Sequence, residues 1–163
     1  MRERKTYKQP IDFMQLLSPA FHHMGSIPVE YSCDGNDINP ELIIKEVPSH
    51  AKSLVLIIDD PDVPVSVRKD CMWDHWVVFN IPPTTTHIPK NSVPQGVSGR
   101  NTSGTLCYQG PCPPDREHRY FFKLYALDCE LDLSEGASKS QVEQAMQSHM
   151  IAQAELVGKY KRT

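Results

Sequence analysis

Three stretches of this chain are apolar at consecutive positions, not at alternate ones: 54–58 (Leu-Val-Leu-Ile-Ile), 76–81 (Trp-Val-Val-Phe-Asn-Ile) and 120–127 (Tyr-Phe-Phe-Lys-Leu-Tyr-Ala-Leu). Their β-branched and aromatic residues suit a pleated, buried surface. A strand with one wet face alternates polar with apolar side chains. Runs like these need cover on both faces, which points to a sandwich or a covered sheet. The 14 prolines and 8 glycines cut the rest into short pieces, a spacing that suits strands and long loops better than a helical bundle. The expected fold class is mainly β with peripheral loops. At 163 residues the chain has the length of a single domain, 1–163, able to bury a core of its own. Residues 1–12 read as loosely ordered, and 81–104 as an unusually long loop that leads into the richest motif of the chain.

The last quarter changes period. Val142, Ala145, Met146, Ile151, Ala154 and Val157 fall near a 3.6-residue repeat, which predicts a C-terminal helix beginning near 138–141. Ser140 followed by Glu143 fits a capping box, and Gly158 fits a stop. The apolar face of such a helix reads as packing surface.

Charge and cysteine content narrow the function classes. Lys and Arg number 17 against 20 Asp and Glu, a net charge of −3. The basic residues are dispersed apart from Arg2, Arg4, Lys5 and Lys8, so no nucleic-acid partner is expected. The apolar stretch 13–17 is too short for a signal-peptide core or a membrane span, which gives a cytoplasmic expectation without membrane insertion. The 5 cysteines, Cys33, Cys71, Cys107, Cys112 and Cys129, include no Cys-x-x-Cys pair. Free thiols in a reducing compartment are expected, with a single bridge as the open alternative. No His-x-x-x-His spacing occurs, and the adjacent His22 and His23 read as loop surface, so neither a metal nor another cofactor is expected.

Polar residues gather at the ends of the apolar runs. Asp59-Asp60-Pro61-Asp62-Val63-Pro64 follows the first run and forms either a stiff turn that aims carboxylates or a common structural turn. Trp73-Asp74-His75-Trp76 opens the second; a histidine between tryptophans at a strand start is usually a packed, satisfied residue, with a site the less common reading. Tyr108-Gln109-Gly110-Pro111-Cys112-Pro113-Pro114 precedes Asp115-Arg116-Glu117-His118-Arg119-Tyr120. Prolines around Cys112 freeze the backbone, and a cis peptide would be least surprising here. His118 and Tyr120 share one strand face, while Arg119 points to the other, where it can brace one of the Asp-Pro-Asp carboxylates.

Together, Asp60-Pro61-Asp62-x-Pro64, His75 ahead of Asn80, and His118-Arg119-Tyr120 resemble the signature segments of the phosphatidylethanolamine-binding proteins. Ser18-Pro19-Ala20-Phe21, Tyr31-Ser32-Cys33-Asp34-Gly35, Gly110-Pro111-Cys112-Pro113-Pro114, Tyr125-Ala126-Leu127-Asp128 and Ala154-Glu155-Leu156-Val157-Gly158 resemble the bacterial and archaeal branch in order and spacing. The resemblance implies a Greek-key antiparallel β sandwich and a small surface pocket for phosphate-like anions. It assigns Asp60, Pro64, Trp73, His75, Gly110, Pro114, His118 and Tyr120 to that pocket. By analogy with kinase-inhibiting relatives it also implies a regulatory role through phosphorylated ligands or partners, and by analogy with prokaryotic ones a homodimer. Two departures bear on the rim: the glycine-free spacer 115–117, and a longer stretch at 65–72.

A carboxylate beside an imidazole favours the protonated ring, so Asp60 is expected to keep a histidine charged. That histidine, the Tyr120 hydroxyl and loop amides would donate to phosphoryl oxygens, and affinity should rise as pH falls through the imidazole pKa. Asp60 could instead accept from the amine of a zwitterionic head group. The rival is a hydrolase using Asp60 with His75 or His118 as general base and Cys112 as nucleophile. No nucleophile elbow or phosphate loop accompanies it, and the expectation is a binding protein, not an enzyme.

Overall fold

In the computed structural model, which describes residues 13–163, the three apolar runs become adjacent strands. They are β3 (Ser53–Asp60), β4 (Trp73–Ile81) and β7 (His118–Leu127), flanked by β6 (Val97–Ser98) and β8 (Met150–Tyr160) in an antiparallel sheet of order β6-β4-β3-β7-β8. A smaller antiparallel sheet, of order β1-β2-β5, is built from β1 (Gln15–Leu17), β2 (Leu42–Lys45) and β5 (His87–Ile88). Within the larger sheet β3, β4 and β6 are neighbours in turn, and β7 returns to lie beside β3, which is the Greek-key order. The segment expected to be loose at 1–12 lies outside the described residues.

Consecutive apolar residues are explained by cover on both faces. Leu54, Leu56, Ile58, Trp76, Val78, Phe122 and Leu124 pack against Leu16, Leu42, Ile44 and Ile88 of the small sheet. Their neighbours Val55, Ile57, Val77 and Phe79 pack against Val142 and Met146 of a helix, α1 (Lys139–Met146), and against Leu131 and Ala137. The main sheet is thus sandwiched between strands on one side and helix plus loop on the other.

The helix corrects the expectation in two respects. It is capped by Ser138, not Ser140: Ser138 Oγ accepts from the Gln141 N–H and the Gln141 side chain accepts from the Ser138 N–H. It also ends at Met146, and Ile151, Ala154 and Val157 belong to β8, paired with β7 from His118↔Tyr160 to Leu127↔Met150. The free edge of β7 captures a segment whose helical period only its first half needs, and tertiary pairing outweighs the weak local preference. Gly158 is therefore not a helix stop. A Cβ there would stand 2.5 Å from Ile27 Cγ1 and 2.7 Å from Phe21 Cε2, so the residue must be small for the Phe21–Ile27 loop to lie on the strand.

The stretch 81–104 is tied down by β5 and β6 and by Asn39, whose amide donates to the Pro89 carbonyl and accepts the Ser92 N–H. His22 and His23 are exposed. Among the described residues no peptide bond is cis, including those of the 110–114 loop, and no helix is long and apolar enough to cross a membrane. The expectation of free thiols fails at one pair. Cys33 and Cys112 form a disulfide, brought together where the Cys33 N–H donates to the Pro111 carbonyl, and Cys71, Cys107 and Cys129 remain free.

Candidate functional site

The motif-bearing ends of β3, β4 and β7 lie side by side, and a single irregularity there decides what faces what. Ile58 pairs with Trp76, Asp59 with Asp74 and Asp60 with Trp73, so His75 is an extra residue in β4. A bulge of this kind re-aims a side chain. It turns His75 to the face that carries Asp60 and Trp73, and leaves Asp59 and Asp74 on the α1 face. There Lys139 Nζ lies 3.1 Å from Asp59 Oδ2 and 2.9 Å from Asp74 Oδ1, and Lys123 Nζ lies 2.9 Å from Asp59 Oδ2. These lysines neutralise the acids behind the site.

On the other face is a cavity of about 220 Å3 lined by Asp60, Trp73, His75, Gly110, Pro114, His118 and Tyr120, together with Val63, Val67, Gln109, Cys112 and Pro113. Seven of the eight residues assigned from the resemblance therefore converge. Pro64 does not; its carbonyl accepts from the Val67 and Arg68 N–H groups and closes the turn that brings Val63 and Val67 to the wall. Val63, Gln109 and Pro113 sit inside the motif segments without a residue type that marks them as site residues, and Cys112, the candidate nucleophile of the hydrolase alternative, also reaches the wall. Gln109 acts partly through its backbone, which leaves no side-chain signal in a sequence.

His118 is fully engaged. Its Nδ1 lies 2.6 Å from Asp60 Oδ2 and its Nε2 2.6 Å from Asp115 Oδ1, while the ring is only 1% exposed. Carboxylates accept, so each ring nitrogen of His118 is placed to donate to its own acid, Nδ1 to Asp60 and Nε2 to Asp115. The hydrogen bond from His118 holds the Asp115 carboxyl below its ordinary range. The unusual spacer thus supplies a second carboxylate to the histidine, and the other Asp60 oxygen accepts the Asp62 N–H at 2.7 Å.

His75 is held differently. Its Nδ1 donates to the Gln109 carbonyl at 2.6 Å, which leaves Nε2 without a protein partner among the described residues. Burial pushes this imidazole below its ordinary value, outweighing the Gln109 carbonyl and the Asp60 carboxylate that pull it up. The neutral ring therefore presents Nε2 as an acceptor. The Tyr120 ring stands edge-on to it, 5.2 Å between centroids. Tyr120 is 1% exposed and its hydroxyl has no hydrogen-bond partner among the described residues. Burial and then the Asp60 charge push the phenol far up, so it keeps its proton; the nearby Cys112 amide softens this push without meeting hydrogen-bond geometry.

The surrounding shell is rigid. Gly110 N–H donates to Asp37 Oδ1 at 2.7 Å, and a Cβ at that position would lie 2.3 Å from the Tyr31 carbonyl oxygen, so only glycine fits. Tyr108 Oη donates to the same Tyr31 carbonyl at 2.7 Å, and the Cys33–Cys112 bond straps the loop two residues beyond Gly110. Trp73 Nε1 donates to Gln109 Oε1 at 2.9 Å. Arg119 points away from the cavity and grips Asp62 through Nε and a terminal nitrogen at 2.9 and 2.8 Å, as its strand position requires. That guanidinium holds the Asp62 carboxyl below its ordinary range.

A family model described as phosphatidylethanolamine-binding protein matches residues 17–161. A UPF0098 protein of Methanothermobacter thermautotrophicus is 52% identical over 155 residues, covering 91% of this chain and 99% of its own length. A UPF0098 protein of Chlamydia pneumoniae is 48% identical over 150 residues, covering 92% and 100%. Among solved structures, the phosphatidylethanolamine-binding protein homologue CT736 of Chlamydia trachomatis superposes with a TM-score of 0.91 at 48% identity, covering 93% of this chain and 99% of that one. Escherichia coli YbcL superposes with a TM-score of 0.83 at 30% identity, covering 92% and 99%.

Proposed function

Because the chain belongs to the phosphatidylethanolamine-binding protein family, we propose that its cavity binds a small phosphate-like anion, free or as a phosphorylated head group. On this reading the protein acts through phosphorylated ligands or partners and does no chemistry on them. The observation that carries the proposal is the Tyr120 hydroxyl, a buried donor on the cavity wall with no partner of its own. Buried polar groups are nearly always paired, and a donor on a cavity wall takes its partner from whatever occupies the cavity, for which a phosphoryl oxygen is a fitting acceptor.

His75 supplies the switchable second donor. Neutral, its Nε2 can only accept; protonated, it donates a charge-assisted bond to a phosphoryl oxygen. Since burial depresses its pKa, the empty site is uncharged at this ring near pH 7, and binding an anion pulls a proton onto it. Affinity for phosphate therefore rises as pH falls from 8 to 6. His118, paired on both sides, keeps Asp60 oriented and acts as a positioning residue. The hydrolase alternative loses its thiol version, because Cys112 Sγ is bonded to Cys33 and offers no thiolate.

The test is a titration with phosphate and O-phosphorylethanolamine at pH 6 and pH 8, following histidine ring protons by NMR in wild type and His75→Ala. Saturable shifts that are stronger at pH 6 and absent in the variant, with ligand recovered intact, support the proposal. Absence of saturable shifts, or affinity that is flat or higher at pH 8, refutes it. Turnover of the ligand would instead make Asp60, His75 and His118 the parts of a hydrolase. Competition by a phosphoserine peptide would extend the site to phosphorylated partners.

A further inference from the structure

At the opposite end of β7 from His118, roughly 30 Å away for a strand of this length, three donor side chains meet at the corner where β7 leaves the sheet. We propose that Asp128, Cys129 and His149 form a binding site for a zinc-like divalent cation. One carboxylate oxygen, one sulfur and one imidazole nitrogen from these residues all lie within 4.8 Å of one another. Such a site is independent of the anion cavity.

The chain is pinned around these residues. Asp128 N–H donates to the His149 carbonyl at 3.0 Å, and His149 N–H to the Met146 carbonyl at 2.9 Å, at the end of α1. On the other side, Lys52 N–H donates to the Leu127 carbonyl at 2.8 Å and Ser53 Oγ to the Cys129 carbonyl at 2.6 Å. A register shift between Ala126 and Leu127 in the β7–β8 ladder sets the corner so that adjacent residues 128 and 129 both reach His149. The backbone is thus fixed while the side chains can still adjust: Asp128 is 49% and His149 41% exposed.

The donor set selects the metal class. Tetrahedral zinc, with bonds of about 2.0–2.3 Å, separates its ligand atoms by roughly 3.3–3.8 Å. Asp128 Oδ1 and His149 Nδ1 stand closer than this, at 2.8 Å in a hydrogen bond, and the sulfur lies within 4.8 Å of a donor atom of each, so side-chain rotations at this exposed corner bring the three to zinc spacing. A thiolate and an imidazole disfavour magnesium and calcium, which take oxygen ligands. Ionised Asp128 and Cys129 would balance a divalent charge, and three protein ligands leave one position for water. The alternative is an ordinary Asp–His hydrogen bond beside a bystander thiol.

Tag-free protein, kept under argon without reductant so that Cys33–Cys112 stays closed, would be titrated with cobalt(II) and followed by absorption. A saturable one-to-one thiolate-to-cobalt charge-transfer band, displaced by zinc, is expected. It should vanish in Cys129→Ser, require at least about tenfold more cobalt in His149→Ala, and persist in Cys71→Ser/Cys107→Ser. No thiolate band in wild type, or a band that survives Cys129→Ser, overturns the proposal.

Discussion

Tyr120→Phe should make the protein more stable and a worse binder at once. The substitution removes only the hydroxyl, which is buried and unpartnered. An unsatisfied buried polar group costs about 1–3 kcal/mol, and the nearby Cys112 amide places Tyr120 at the low end, near 1 kcal/mol. For a chain of this size that corresponds to a rise of about 2–4 °C in the anion-free Tm. On the proposed anion-binding reading the same hydroxyl would donate to a charged phosphate oxygen, a bond worth about 1.5–3 kcal/mol, so affinity should fall roughly 10- to 150-fold. Melting curves in phosphate-free buffer and calorimetric titration with phosphate at pH 6 read the two effects separately. A variant that melts lower than wild type without anion, or that binds phosphate unchanged, refutes the reasoning.

Two further outcomes follow from an ion pair behind the site and from the disulfide. Arg119→Ala should cost about 0.5–1 kcal/mol, since Arg119 is half exposed, and should leave phosphate affinity unchanged because the side chain faces away from the site. Asp62 has its carboxyl depressed in the folded state, so the pairing stabilises above the unfolded pKa near 3.9 and is lost as pH falls through the folded value. Urea unfolding should accordingly show the gap between wild type and variant at pH 7 and its disappearance in strong acid. The Cys33–Cys112 bond closes a separation of 79 residues, for which chain entropy gives a stabilisation of about 4.5 kcal/mol. Thiol titration of the unfolded, unreduced protein should find 3 thiols out of 5 cysteines, and reduction should lower Tm by roughly 9–18 °C; 5 titratable thiols would disprove the bond.

The central strands were legible because burial on both faces leaves a pattern that nothing else produces: β3, β4 and β7 are the three apolar runs. The end of the helix was not, because residues 151–157 satisfy a helical period and a strand alternation equally, and only the edge of β7 chooses between them. Arg119 could be placed opposite His118 by strand alternation, and its grip on Asp62 follows. Which histidine Asp60 holds could not be read from the motifs, since both lie near it. The register assigns it to His118, and Gln109, through a carbonyl, takes His75. Cys33 and Cys112 obey no spacing rule, and their bond becomes visible only once two loops are adjacent.

The bulge at His75 makes the site depend on a residue count. The 65–72 loop connects β3 to β4 outside the ladder, so lineages can lengthen or shorten it at little cost to the sheet. Loss of one residue between Trp73 and Trp76 is a different event. Without Asp74, the pairing of Ile58 to Asp60 would run unbroken, His75 would move opposite Asp59 onto the α1 face, and the cavity would lose the His75 imidazole with every residue of its wall still encoded. A relative that keeps the whole wall but differs by one in that short interval should share the sandwich and lack the binding site, so alignments of these proteins need to be judged there by gaps as much as by identities.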